Sequence, residues 1–210
     1  MPLYSMAELQ LYQSPFEPSG EWLNRLQESR HRQPPAALLP WLLHPGSLTA
    51  ALRELADGDF HVRILKQHWQ NPRMDERREL ALRDRCRALV REVLLYGRGQ
   101  PWVYARSVLP ESSLRGRSRY LRNLDNRPLG ELLFSEAGIR RGPIALNRLH
   151  RNPRCDLPEL AGEGDSAWGR RSAFWLRGKP LLVTEAFLSA FRPQRAPLAR
   201  AEVSAEQTGG

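Results

Sequence analysis

The sequence predicts an α+β fold, an antiparallel β-sheet carrying a few helices. Three observations lead there. Two segments share one hairpin design. RALVREVLLY and WVYARSVL flank Gly97-Arg98-Gly99-Gln100-Pro101, while RSAFWL and LLVTEAFLSAF flank Arg177-Gly178-Lys179-Pro180. Helical spacing is confined to short stretches with few parallel crossovers between strands. Finally, 210 residues with 41% hydrophobic and 26% charged side chains suit one globular domain.

In chain order, residues 1–40 are broken by Pro15, Pro18, Pro34, Pro35 and Pro40 and hold one short amphipathic stretch, Glu21 to Glu28. They read as a loosely packed extension. The domain itself is expected over 41–191. His44-Pro45-Gly46-Ser47 leads into LTAALREL. Ser47 suits an N-cap, Leu48, Ala51, Leu52 and Leu55 fall at helical spacing, and the helix should stop near Asp57-Gly58. FHVRILKQHW alternates as a strand, with Phe60, Val62 and Ile64 on one parity. The charged run Pro72 to Arg83 reads as a short helix or a loop. In both hairpins glycine supplies the turn, and proline opens the returning strand, where its missing N–H costs little. Asn126-Arg127-Pro128 before LGELLF reads as a helix with proline near its first turn. Residues 141–165 are expected to be loop and 192–210 a disordered tail.

The net charge is +9, from 32 basic and 23 acidic residues, and Lys66 and Lys179 are the only lysines. Such a field favours anionic partners. The densest arginine stretch, Arg73 to Arg91, is interleaved with Asp75, Glu76, Glu79 and Asp84. There is no zinc-finger spacing, aromatic RNA-binding signature or clear helix-turn-helix, so no nucleic-acid partner is expected. No apolar run nears the roughly 18 residues of a membrane span. The N-terminus lacks signal-peptide character, and two cysteines, Cys86 and Cys155, suit a reduced cytoplasmic protein. The five histidines have no ligand spacing, so no metal is expected, and no phosphate loop, dinucleotide fingerprint or nucleophile elbow is present. Catalysis by shape and electrostatics, or pure binding, is left.

Charge inside the strands is the most informative feature. Arg91 shares a strand face with Leu89, Val93 and Leu95, and Glu185 shares one with Val183 and Phe187. A buried charge is costly unless paired or hydrogen-bonded. Either Arg91 pairs with Glu185 or Glu92 inside the sheet, or these residues line a pocket. In the second case the arginine binds a carboxylate and the glutamate meets a hydroxyl or ether oxygen. The helix starts at Leu48 and Leu129 offer unpaired backbone N–H groups that could complete such a pocket.

Here the chain resembles the chorismate pyruvate-lyase family over about Trp41 to Phe191. The matching blocks are WLLHPGSLT, VREVLLYGRGQPWVYARSVLP, RPLGELLF, WGRRS and GKPLLVTEAFL. The resemblance implies helical flaps over an enclosed ligand pocket. It implies an activity too: chorismate would lose pyruvate to give 4-hydroxybenzoate for ubiquinone biosynthesis, without a cofactor. It assigns Arg91 to the ring carboxylate, joined by the backbone N–H of Leu129 and by the backbone at Leu48. Glu185 faces the opposite end of the ring. Arg91 and Glu185 are thus the catalytic candidates, and a carboxyl group on an apolar face should have a raised pKa. Arg170 and Arg171 in WGRRS receive no catalytic role. The alternative is a non-catalytic sensor domain of the same fold, against which residues 1–40 count as too short for a DNA-binding domain. A monomer is expected.

Overall fold

A computed structural model describes residues 13–23, 33–136 and 138–198. Its strands are β1 (Phe16–Pro18), β2 (Phe60–Gln70), β3 (Ala88–Gly97), β4 (Gln100–Pro110), β5 (Arg140–Arg141), β6 (Ala145–Arg151), β7 (Ser166–Leu176) and β8 (Lys179–Phe187). The helices are α1 (Leu39–Leu42), α2 (Leu48–Ala56), α3 (Met74–Glu79) and α4 (Leu129–Ser135). Two 3-10 segments, Glu111–Leu114 and Gly116–Asn123, lie between β4 and α4.

The sheet runs β1-β6-β7-β8-β4-β3-β2 with every pair antiparallel, and β5 adds to β7. Both expected hairpins form. Each turns through an Arg-Gly pair with positive φ at both residues: 52° and 70° at Arg98-Gly99, 51° and 72° at Arg177-Gly178. Such turns match the natural twist of the flanking strands. The pairing of β4 with β8 joins the two hairpins at the centre of the sheet.

Both faces of the sheet are covered, which is why β3 and β4 are buried along almost their whole length. On the front face, α1 and α2 pack Trp41, Leu42, Leu48 and Leu52 against Val93, Leu95, Val103 and Phe187. Beside them, α4 and the 3-10 segments pack Leu114, Leu121, Leu129 and Leu133 against Leu89, Leu109, Leu181 and Val183. On the rear face, Phe16 packs with Leu94, Tyr104 and Leu149, and Leu80 packs with Val90, Val108 and Leu182. The rear also buries an ion-pair network in which Arg106 meets Glu76 at 2.6 Å and Glu92 at 2.5 Å.

Helix α2 starts as expected. The Ser47 hydroxyl accepts from the Ala50 N–H at 3.3 Å, and the helix stops at Asp57 in the left-handed conformation. The charged run after Pro72 contains α3. Two expectations need correction. Residues 141–165 are not all loop, because β6 lies within them between β1 and β7. The segment before residue 41 is not merely a loose extension: Phe16 is 2% exposed in the rear core and Leu23 bridges to Leu146. Residues 24–28 of the amphipathic stretch and 199–210 of the tail lie outside the described residues.

Candidate active site

Strand register places the two charges found in the sequence on one face. Arg91, Ser107, Val183 and Ser172 form a cross-strand row through β3, β4, β8 and β7. The next row is Val93, Ala105, Glu185 and Arg170. Residues opposite one another, or two apart along a strand, share a face. A polar band made of Arg91, Ser107, Ser172, Glu185 and Arg170 therefore crosses the front face between its two apolar clusters. Arg91 and Glu185 stand two strands and one row apart, about 12 Å between their Cβ atoms by strand spacing and pleat repeat.

Neither sheet pairing considered for Arg91 occurs. Glu185 accepts from Arg170, and Glu92 is engaged by Arg106 on the rear face. Arg91 donates through Nη2 to the carbonyl oxygens of Asp125 at 2.7 Å and Arg127 at 3.2 Å, just before α4. Its Nε is buried without a hydrogen-bond partner among the described residues. Burial lowers its pKa to about 10, opposed by the charge of Asp125, so the guanidinium stays ionised at neutral pH. Arg91 is thus a buried cation held by main-chain dipoles, with a donor to spare.

The contact with Asp125 and Arg127 brings Arg91 close to the start of α4, where Leu129 is buried. The α2 and α4 starts adjoin as well. A Cβ built at Gly130 would lie 3.1 Å from Thr49 Oγ1 and 3.9 Å from Ser47 Oγ. Leu48 and Leu129 consequently sit at neighbouring helix N-termini over the sheet.

Glu185 is tied through Arg170 to the connection between α1 and α2. Arg170, 1% exposed, donates from Nε to Glu185 Oε2 at 2.7 Å and from Nη1 to the carbonyls of Trp41 at 3.0 Å and His44 at 2.9 Å. Arg141 donates from Nη1 to the His44 carbonyl at 3.2 Å and the Pro45 carbonyl at 2.8 Å, and from Nε to Ser172 Oγ at 3.0 Å. Burial, and then repulsion from Arg170, lowers the Arg141 pKa to about 10. Burial, then Arg170 and then Arg141, lowers His44 to about 4, so its imidazole is neutral at pH 7. The purely apolar surround anticipated for Glu185 is therefore absent, because a guanidinium group adjoins its carboxylate.

Sequence reasoning named Arg91, Glu185, Leu48 and Leu129, withheld a catalytic role from Arg170, and did not single out Arg141 or His44. Period-two alternation in WGRRS carried the available signal. On β7 it sends Arg170 to the front and Arg171 to the rear, where Arg171 meets Asp75 at 3.0 Å and Glu79 at 2.8 Å and lies over the Trp22 ring. Only Arg170 joins the polar band.

Among the described residues, the band's Arg91 and Arg170 and the adjoining, half-buried Arg141 set three guanidinium groups against the Glu185 carboxylate and the neutral His44 imidazole, an excess of two positive charges. Fold and charge together define an α+β protein whose antiparallel sheet meets its covering helices across a face richer in guanidinium than in carboxylate groups. The family model for chorismate lyase matches residues 22–195, and the chain belongs to that family. It is an enzyme of the lyase class. Among its relatives, "Probable chorismate pyruvate-lyase" of Methylococcus capsulatus is 44% identical over 151 residues, 71% of this chain and 93% of that protein. The protein of the same name in Azoarcus sp. strain BH72 is 44% identical over 180 residues, 82% of this chain and 93% of that protein. Among solved structures, the C-terminal domain of the histidine utilization repressor from Pseudomonas syringae pv. tomato superposes with a TM-score of 0.50. It shares 10% identity and covers 67% of this chain and 99% of that one, a likeness of fold alone.

Proposed function

We propose that this enzyme converts chorismate to 4-hydroxybenzoate and pyruvate, supplying the aromatic ring for ubiquinone, as a cytoplasmic monomer. The observation that carries the reading is the excess of guanidinium over carboxylate groups on the front face, with buried Arg91 and partly buried Glu185 placed by strand register about 12 Å apart. Chorismate is a dianion, with a carboxylate on the ring and another on the enolpyruvyl ether.

Arg91 receives the ring carboxylate, aided by the backbone N–H of Leu129 and by the backbone at Leu48. Its spare Nε–H suits a charge-assisted bond. Glu185 lies toward C4 and the ether oxygen. In the reaction the C3–O ether bond breaks, the leaving oxygen takes the electron pair, and the C4 proton is lost as the ring becomes aromatic. The released enolpyruvate gains a proton on carbon and becomes pyruvate. Aromatisation drives the elimination, and the protein holds the substrate in a reactive geometry while stabilising moving charge. Glu185 Oε2 is occupied by Arg170. Its other oxygen is the one to orient the C4 hydroxyl or accept the C4 proton.

The test is to incubate purified protein with chorismate and follow both products. Equal amounts of pyruvate and 4-hydroxybenzoate are expected, and absence of turnover overturns the reading. Arg91→Ala should lower kcat/KM by about 1000-fold or more and abolish binding of 4-hydroxybenzoate. Near-normal turnover in that variant removes Arg91 from the anchoring role.

A further inference from the structure

Arg170 is the most buried charged side chain of the front face, and its three hydrogen bonds have an unusual distribution. One goes to Glu185 on the neighbouring strand, and two go to main-chain carbonyls of the α1–α2 connection. Those carbonyls, Trp41 O and His44 O, lie at the end of α1 and just before the Ser47 cap from which Leu48 begins α2. A single planar guanidinium therefore joins the sheet residue Glu185 to the polypeptide that starts the covering helix. Arg141 braces the same connection through His44 O and Pro45 O and is itself fixed on Ser172 of β7.

We propose that Arg170 is the positioning residue of the site. It selects one rotamer of Glu185 and holds that carboxylate in register with the start of α2. The inference deepens the chorismate reading and rests on it. Glutamate has three side-chain torsions, and a flexible one would spread its free oxygen over several ångströms. A misplacement of about 1 Å at a reacting group can cost about 100-fold in rate. The fork of Arg170 removes that freedom, because Nε and Nη1 address their partners from one rigid plane. A lysine would keep the charge at this point but not the plane. Arg170 need not touch the substrate; its effect passes through Glu185.

This role makes Arg170 matter to kcat rather than to binding, since Arg91 and not Arg170 anchors the ring carboxylate. The experiment measures kcat and KM for chorismate, together with 4-hydroxybenzoate affinity. It compares wild type, Arg170→Lys, Arg170→Met, Glu185→Gln and the Arg170→Lys/Glu185→Gln double variant. Arg170→Lys should lose about 10-fold in kcat and Arg170→Met about 100-fold. In Arg170→Lys, which keeps the charge, KM and product affinity should stay within about three-fold, because the anchoring cation is untouched. Adding Arg170→Lys to Glu185→Gln should cost less than about three-fold more, since the residue it positions is already disabled.

Full additivity of the two substitutions overturns the proposal, and so does unchanged kcat in folded Arg170 variants. An inactive wild type would instead strike the chorismate reading. Should substitution of Arg170 prevent folding, arginine-15N-labelled protein provides the alternative measurement. A protected Nε–H resonance that shifts on Glu185→Gln replacement supports the pairing, and the absence of any such resonance overturns it.

Discussion

Arg91 and His44 enter the interior by opposite electrostatic routes. Arg91 remains charged, and two peptide carbonyls and nearby Asp125 stand in for lost water. A guanidinium held in this way keeps its attraction for an incoming carboxylate, which a salt-bridged one would have spent. His44 is held neutral, because burial and two adjacent guanidiniums all oppose its protonation. Its pKa falls from 6.5 to about 4 in the folded protein. Between those values the unfolded chain binds a proton that the native protein does not, so stability falls as pH drops through this window. Below it both states are protonated and the loss is complete. Urea midpoints at pH 7 and pH 4.5 should therefore drop further in wild type than in His44→Gln. Equal drops would show that His44 does not contribute.

At the scale of elements, β7 is constrained on both of its faces. Its WGRRS block places Trp168 and Arg170 on the front, Gly169 and Arg171 on the rear, and Ser172 under Arg141. Gly169 is required by close approach. A Cβ there would lie 2.5 Å from Leu149 Cδ1 and 3.1 Å from the carbonyl oxygen of Glu185. Leu149 could give way only by disturbing the rear core, and the carbonyl belongs to the strand that carries Glu185. Gly169→Ala should accordingly destabilise the fold by about 1–3 kcal/mol, read by urea denaturation. An unchanged midpoint would show that β6 and β7 separate freely. The hairpin turns are more local. Arg98-Gly99 and Arg177-Gly178 were legible as turns because their glycines and following prolines carry the signal within five residues. Strand β6 was not, because its partner β1 comes from a distant part of the chain, its link to β7 is too long to carry a tight-turn signal, and its own sequence is interrupted by Asn147, Arg148 and His150.

For the whole molecule, the proposed reaction makes the band between sheet and helices a matter of ligand exchange as well as chemistry. The starts of α2 and α4 abut at Thr49 and Gly130, and the α1–α2 connection is clamped by Arg141 and Arg170. A ligand held by Arg91 beneath these elements leaves only when they part, a motion slower than many chemical steps. On the proposed reaction, rapid mixing with chorismate should give a burst of about one 4-hydroxybenzoate per enzyme before a slower steady state. A linear time course from the first turnover would place the slow step in chemistry instead. The amino-acid sequence by itself determined the hairpins, the Ser47 cap and the strand parity that set Arg91 and Glu185 among apolar neighbours. These depend on interactions between residues close in the chain. Only the tertiary structure decided that β4 pairs with β8, which puts both charges on one face, and that Arg170 rather than Arg91 meets Glu185. Those partners are chosen by register between distant strands, where a shift of one residue would send every side chain to the other face.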